Sequence, residues 1–420
     1  MLNVINTILG LGASVVMPII IFLIGLVFKM KPVKAMRAGL TVGVGFIGIN
    51  LVTGLMGGYL SPIISGLQSK FNIMLDVYDM GWPVSSGIAF STGTLVVAMF
   101  AVLIVVNVIL LVLNLTNTLN VDLWNFWHFI MAAALAYALT GSFVVGCIVG
   151  GIYGAVVLLL CDKHEKVIEE FLGYPGVTIT TQSFPVSMYL CMGLDWILDH
   201  IPGLNKININ FGDIKKEYQF LTEPLFLGFI LGFVLSLVCG VSWQDSLVAG
   251  VGMGAVMFVL PRMVKILMEG LSPISNAAQE YLSEKFPGRH LNIGMDMAVV
   301  LGDRDIITMA MIMVPVTILL AMVLPFNRML PFTDLPAMTY FMVAPVMAGK
   351  RNSFRTLIIA VIYISFQLFV ATNLAPLFTA VAANSGLIDA SAGMVSALSG
   401  GGELIAWIQI KIIQLLQSIF

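Results

Sequence analysis

The chain has 420 residues, of which 59% are hydrophobic and only 10% are charged. Soluble domains carry about 25% charged residues, so this composition excludes an ordinary soluble enzyme or binding module and indicates a polytopic membrane protein. The net charge of −2 excludes little, because in such a protein the positions of Lys and Arg matter more than their sum.

Apolar runs divide the chain into about eleven candidate spans, since a helix needs about 20 residues to cross a hydrocarbon core of about 30 Å. The first run precedes the first basic residue, Lys29, so it lacks the basic segment that begins a cleaved secretory signal. We therefore predict an all-α polytopic membrane protein with about eleven transmembrane helices, the first run among them.

Basic residues between the first two spans predict the orientation of the chain. This loop contains Lys29, Lys31, Lys34 and Arg37. Loops rich in Lys and Arg remain on the cytoplasmic side of a membrane. We therefore expect this loop in the cytoplasm and the N-terminus outside.

The next feature is an apolar segment, Leu60–Ser91, that proline and glycine break too often for one continuous span. It contains Asp79, Trp82, Ser85 and Ser86, and its turn would expose backbone groups that a substrate could bind. The alternative is a proline-broken turn in which Asp79 caps a helix.

The densest cluster of polar and aromatic residues is Asn120–His128, which contains Asp122 and Asn125. Trp124 and Trp127 are three residues apart and would share a helix face, where sugar CH groups can pack on the rings. The alternative is an aromatic belt at the membrane interface. His128 lies inside a span and can exchange a proton near neutral pH, or it makes a structural hydrogen bond.

Short motifs of the first half recur in the second half at nearly constant spacing. The Ser-Pro-Ile motif at Pro62 recurs at Pro273, an offset of 211, and Asp122-Leu123 recurs at Asp334, an offset of 212. This shared order predicts two copies of one five-span unit. Because five is an odd number, the second copy must be inverted in the membrane relative to the first.

The second copy contains its own broken segment, Leu271–Asp305, with Asp296 and Asp303. A carboxylate within a span costs about 2.5–3.5 kcal/mol on insertion scales, so it usually faces a cavity or a partner. Broken segments at matching places in two halves indicate a transporter's binding site. We predict that the two form opposed re-entrant segments that meet at a substrate.

These observations divide the chain into four parts. We expect a first repeat at 1–161, a cytoplasmic amphipathic linker at 162–222, a second, inverted repeat at 223–374, and an outer loop with the last span at 375–420.

Motifs for metal or nucleotide chemistry are missing from the sequence. The four cysteines show neither a CxxC pair nor metal-ligand spacing, and there is no P-loop and no HExxH. We therefore expect no cofactor, no metal ion and no nucleotide hydrolysis on this chain.

Six motifs occur in an order that resembles one known family. They are VYDMGWPVSS at 77–86, NVDLWNFWH at 120–128, LNIGMD at 291–296, LPFTDL at 330–335, RNSFRTLI at 351–358 and AGMVSALSGGG at 392–402. This chain is similar to the galactitol-type membrane subunit, enzyme II C, of the bacterial sugar phosphotransferase system, which is sister to the ascorbate transporter.

The resemblance implies a homodimer in the bacterial cytoplasmic (inner) membrane, in which a core domain moves against a scaffold domain. It implies that a polyol or sugar passes inward while a separate B subunit, which carries a phosphocysteine, phosphorylates it. An A subunit would be a further partner. No residue of this chain would be phosphorylated, and the chain would be the transport subunit of a phosphotransferase complex.

The resemblance also suggests site residues. Ascorbate relatives use polar groups of the first broken segment, a His at the start of the fourth span and an Asp of the second broken segment, which map to Asp79–Trp82, His128 and Asp296. Near Gly176 the family pattern has a His, whereas Thr180-Thr181-Gln182 occupies that place here. This departure leaves the identity of the polyol or sugar open. The predicted substrate-binding residues are Asp79, Trp82, Ser85, Ser86, Asp122, Trp124, Asn125, His128, Thr181, Gln182, Asp296 and Asp303.

A second interpretation is an ion-coupled secondary transporter of similar inverted design. In that protein Asp296 would be a proton or cation site, and uptake would need no phosphoryl donor. A third class, a membrane-bound enzyme or structural protein without transport, is disfavoured by the repeated broken segments.

Overall fold

The computed structural model describes residues 13–71, 75–120, 122–173, 175–181, 184–209, 223–284, 291–301, 303–388 and 393–419. Across these residues the chain is helical apart from turns, loops and five short strands. Within the described residues, six helices are long and apolar enough to cross a membrane, and five shorter apolar helices accompany them. The prediction of an all-α polytopic membrane protein is confirmed.

The elements are numbered in chain order. The helices of the first half are α1 (Ala13–Val27), α2 (Pro32–Phe71), α3 (Gly81–Phe90), α4 (Thr94–Val112), α5 (Phe126–Thr140), α6 (Phe143–Cys161), α7 (Glu165–Leu172) and α8 (Phe184–His200). Those of the second half are α9 (Pro224–Val238), α10 (Trp243–Ser283), α11 (Arg304–Val323), α12 (Met338–Ala348), α13 (Ser353–Asn384), α14 (Leu398–Gly401) and α15 (Leu404–Ile419). The strands are β1 (Val77–Asp79), β2 (Thr118–Leu119), β3 (Val177–Ile179), β4 (Asn292–Met295) and β5 (Met394–Ser396).

The longest helices, α2 and α10, pack against each other, with α1 on α2 and α9 on α10. Gly45 of α2 faces Leu267, and Gly252 of α10 faces Tyr59, so the two long helices run antiparallel. A Cβ atom at Gly45 would lie 2.7 Å from the Leu267 Cβ and 2.9 Å from its Cα. Small residues therefore set the close approach of the two helices, as is common between membrane helices.

The two long helices differ from the sequence-based prediction at their prolines. The broken segments were expected to begin near Leu60 and Leu271, but α2 continues through Pro62 to Phe71 and α10 continues through Pro273 to Ser283. Membrane helices tolerate proline because neighbouring groups can satisfy the backbone atoms that it frees.

The other helices form a second group, and two small parallel sheets lie within it. In the first sheet β1 pairs with β5, and a single bridge joins Val77 to Met329. In the second sheet β4 lies between β2 and β3. Buried backbone groups outside helices cost several kcal/mol when unpaired, so these strands satisfy the groups that the helix breaks expose.

Each sheet takes its middle strand from one half of the chain and its flanking segments from the other half. β1 is flanked by Met329 and β5, which both follow residue 300. β4 is flanked by β2 and β3, which both precede residue 200. The two halves are thus joined by reciprocal strand exchange.

We predict that Gly45→Ala lowers the thermal unfolding midpoint of the detergent-solubilised protein. The added methyl group meets Leu267, and such overpacking costs about 1–3 kcal/mol. Gly58→Ala, on the same helix, is the control because its Cβ would have no neighbour within 4 Å. Equal melting of the two variants would show that Gly45 does not set the helix spacing.

Candidate functional site

A cleft lined by aromatic and polar side chains opens where the second helix group meets α10. Small-molecule sites are concave, mostly apolar and carry a few polar groups that orient the ligand, and this cleft has that character. Of the described residues that line the cleft, Met268 alone comes from the long helices. The site is therefore built mainly by the second helix group and is covered on one side by the first.

One wall of the cleft is aromatic. Trp82 lies at the start of α3, and its ring meets that of Trp124 edge to face, with centroids 6.2 Å apart. Trp127 and Tyr340 also line the cleft. Such a wall offers ring faces to the CH groups of a ligand, and both tryptophans of the Asn120–His128 cluster contribute to it.

A shared amide joins two carboxylates at the polar side of the cleft. The Asn125 Nδ2 donates to Asp122 at 2.7 Å and to Asp296 at 2.8 Å. Asp296 also accepts the Ala298 backbone N–H at 2.6 Å, and it lines the cleft together with Asn125. Two carboxylate oxygens can accept about four hydrogen bonds, so Asp296 has capacity left for ligand hydroxyl groups.

His128 connects the cleft to a buried hydrogen-bond network. Its Nδ1 lies 2.8 Å from an oxygen of Glu403, and the Tyr153 hydroxyl donates to the other oxygen at 3.0 Å. Glu403 is 1% exposed, so its charge is surrounded by protein. A carboxylate that holds Nδ1–H leaves Nε2 as the ring nitrogen for a ligand in the cleft.

Asp79 is not part of the cleft lining. It is 2% exposed and accepts backbone N–H groups of Gly81 (3.0 Å), Thr333 (2.7 Å) and Asp334 (3.0 Å). Asp334 in turn accepts the backbone N–H of Trp82 at 2.7 Å. The two carboxylates thereby fix the turn that carries Trp82 into the cleft.

The turn at Asp79 has a twin at Asp296. Asp79-Met80-Gly81 and Asp296-Met297-Ala298 have the same form, since each Asp accepts the N–H two residues later, at 3.0 Å and 2.6 Å. Asp79 is the last residue of β1, and Asp296 directly follows β4. The two broken segments therefore contain the same kind of local turn.

Other predicted site residues lie away from the cleft. Ser85 and Ser86 are fully buried in α3, where each hydroxyl donates to a carbonyl of the same segment at 2.7 Å. Asp303 caps α11 and forms an ion pair with Arg351 at 2.9 Å. Gln182 lies outside the described residues.

Thr181 lines the cleft and accepts the Met297 backbone N–H at 2.9 Å. The cleft thus contains six of the predicted residues: Trp82, Trp124, Asn125, His128, Thr181 and Asp296. Trp127, which was expected to share a helix face with Trp124, lines the cleft as well. Sequence reasoning did not select the remaining lining residues: Met268, Met297, Ala337, Tyr340, Phe341, Tyr363 and Ser399.

Two residues that sequence reasoning missed had a readable signal: Ser399, which lines the cleft, and Glu403, which holds His128. Ser399 lies within the 392–402 motif, and its N–H and hydroxyl both donate to Asp334 at 2.9 Å. Glu403 directly follows three glycines and precedes the last apolar run. A carboxylate at the start of a span warrants a search for its partner, which here is His128.

A helical polytopic membrane protein whose broken segments converge on an aromatic and polar cleft has the architecture of a small-molecule permease. The comparison with known families agrees. Residues 7–391 match the EIIC-GAT family, described as "PTS system sugar-specific permease component", and the chain belongs to this family.

Three curated relatives are similar along nearly the whole chain. The chain is 35% identical over 410 residues to the "PTS system galactitol-specific EIIC component" of Escherichia coli strain K12, which covers 98% of this chain and 90% of the relative. The protein of that name from Escherichia coli O157:H7 gives the same values. A "Putative permease IIC component" of strain K12 is 34% identical over 403 residues, 95% of this chain and 91% of the relative.

Family membership confirms the resemblance that the motifs suggested. The chain is a multi-pass inner-membrane protein and a permease component of the sugar phosphotransferase system. The family implies a sugar or polyol substrate and separate EIIA and EIIB partners.

We predict that His128 and Glu403 are energetically coupled. Glu403→Ala leaves His128 Nδ1 and the Tyr153 hydroxyl without this acceptor. Hydrogen bonds to charged groups contribute about 1.5–3 kcal/mol, so we expect a coupling free energy of that size between Glu403→Ala and His128→Ala. The measurement is a double-mutant cycle on unfolding in detergent, and additive effects would contradict it.

Proposed function

We propose that this chain carries a neutral polyol such as galactitol inward as the C subunit of a phosphotransferase permease. The observation that carries the proposal is the cleft, where Asp296 and Asn125 stand beside aromatic rings and the described lining contains no Lys or Arg. Polyol hydroxyl groups would donate to these acceptors while CH groups pack on Trp82 and Trp124. A negatively charged substrate would meet Asp296 without a compensating cation.

The chemistry of the coupled step requires little from this chain beyond positioning. Phosphoryl transfer passes through a loose transition state, so the acceptor hydroxyl needs placement more than deprotonation. In our proposal His128, held by Glu403, and Asp296 orient the polyol so that one hydroxyl faces the phosphocysteine of the B subunit. No residue of this chain is phosphorylated.

We further propose eleven spans arranged as two inverted five-span repeats, with the N-terminus outside. The boundaries are those expected from the sequence: 1–161, the linker 162–222, 223–374 and 375–420. The helix order supports this, since in each half a shorter apolar helix, α1 or α9, packs on a long helix, α2 or α10. The reciprocal strand exchange and the twin Asp turns support it as well.

The proposed transport mode is an elevator within a homodimer. The group α1, α2, α9 and α10 would be the scaffold, and the other helices would move along it with the substrate. The cleft supports this division, because its lining comes almost wholly from the second group while Met268 belongs to α10.

We predict that Asp296→Asn and His128→Ala each reduce donor-dependent galactitol uptake at least about tenfold, because each removes a charge-assisted or oriented hydrogen bond. The assay uses vesicles supplied with the A and B subunits and a phosphoryl donor. Asp245→Asn and His200→Ala, which alter exposed residues, are matched controls. Unchanged uptake in both site variants would refute the site, and accumulation by the unmodified protein without a donor would favour the ion-coupled transporter.

If the two repeats are inverted, equivalent turns of the two repeats lie on opposite sides of the membrane. Lys31 lies between α1 and α2, and the exposed Gln244 lies at the corresponding place, at the start of α10. In a cysteine-free background, a membrane-impermeant maleimide should label Gln244→Cys in intact cells but Lys31→Cys only after permeabilisation. Labelling of both from one side would exclude the inverted topology.

A further inference from the structure

A second groove, separate from the cleft, lies at one end of the long helices. It lies between the α1–α2 turn and the last turns of α10. Phe28 and Tyr281 form part of its lining, with ring centroids 6.0 Å apart. The groove is therefore built by the first helix group.

Three lysines form one side of the groove. Lys29, Lys31 and Lys34 are exposed, and in the described part of the chain no ion pair joins any of them to a carboxylate. The Lys29 ammonium lies 5.3 Å from the centre of the Tyr281 ring. These cations have hydrogen-bonding capacity for an anionic group in the groove.

The opposite side of the groove is acidic. Asn276, Glu280 and Glu284 are spaced four residues apart on α10, so they share one helix face, and all three line the groove and are exposed. One wall of the groove thus carries three lysines, and the opposite wall carries two glutamates.

An apolar stripe leads away from the lysines along α2. Its residues are spaced three and four apart, so they form one continuous face. All are exposed, from 51% to 73%: Val33, Met36, Leu40, Val44, Ile47 and Leu51. In a membrane protein such a face meets acyl chains, which places the lysines at the level of lipid headgroups.

We propose that this groove binds the phosphoethanolamine headgroup of a membrane phospholipid, with its acyl chains along the apolar stripe of α2. The lysines hold the phosphate, and the ammonium group donates to Glu280 and Glu284. An anionic phospholipid would satisfy the lysines but would place its headgroup against two carboxylates. A phosphocholine headgroup has no N–H to donate to them.

The test is native mass spectrometry of the purified, delipidated full-length protein with phosphatidylethanolamine, phosphatidylglycerol or phosphatidylcholine of the same acyl chains. The unmodified protein should bind phosphatidylethanolamine about tenfold more tightly than phosphatidylglycerol or phosphatidylcholine. This difference corresponds to the loss of one or two charge-assisted contacts. Lys31→Ala/Lys34→Ala should abolish this advantage by weakening phosphatidylethanolamine binding about tenfold.

Two further variants serve as a lysine control and as a test of the acidic wall. Lys163→Ala/Lys166→Ala removes two exposed lysines with the same spacing elsewhere and should leave lipid binding unchanged. Glu280→Gln/Glu284→Gln keeps side-chain shape, and it should make phosphatidylglycerol bind as tightly as phosphatidylethanolamine. Melting temperatures within about 2 °C of the unmodified protein show that each variant is folded.

Three results would overturn the proposal. Phosphatidylglycerol binding that equals or exceeds phosphatidylethanolamine binding in the unmodified protein would make this a simple anion site. Unchanged binding by Lys31→Ala/Lys34→Ala would place the lipid elsewhere. A change of oligomeric mass in that variant would identify the groove as an interface between copies of the chain.

Discussion

The need to pair buried backbone groups outside helices governs this structure. A helix satisfies its own amides, but a chain that breaks its helices inside a membrane protein must find partners elsewhere. Here the partners are short parallel strands, β1 with β5 and β4 with β2 and β3. The turns that follow β1 and β4 carry Trp82 and Asp296, so the pairing that satisfies the backbone also delivers side chains to the cleft.

The two matched Asp turns show how one local structure serves two purposes. Asp79 is surrounded by three backbone donors and has little capacity left for a ligand. Asp296 shares the Asn125 amide with Asp122 and faces the cleft. The same Asp-Met turn therefore fixes structure in one half of the chain and presents an acceptor in the other.

Local sequence pattern predicted the membrane class from the length of the apolar runs, and the matched motifs from their spacing. It also predicted much of the aromatic wall, because the cluster Trp124–His128 is readable in the sequence. It placed the helix breaks too early, because membrane helices tolerate proline and both long helices continue through Pro62 and Pro273. The strand partners of β1, and the Glu403 partner of His128, lie more than 200 residues away in the chain. Neither pairing has a periodic signature, so neither was predictable from spacing alone.

The reciprocal strand exchange also has a consequence for biosynthesis. β1 enters the membrane early, but Met329 and β5, which complete its sheet, are made some 250 and 317 residues later. Until then the first half holds an open strand edge, an arrangement of high contact order that favours slow folding and misassociation. The strand edges of the nascent first half must therefore be shielded by lipid, by a chaperone or by its own helices until the second half has been inserted.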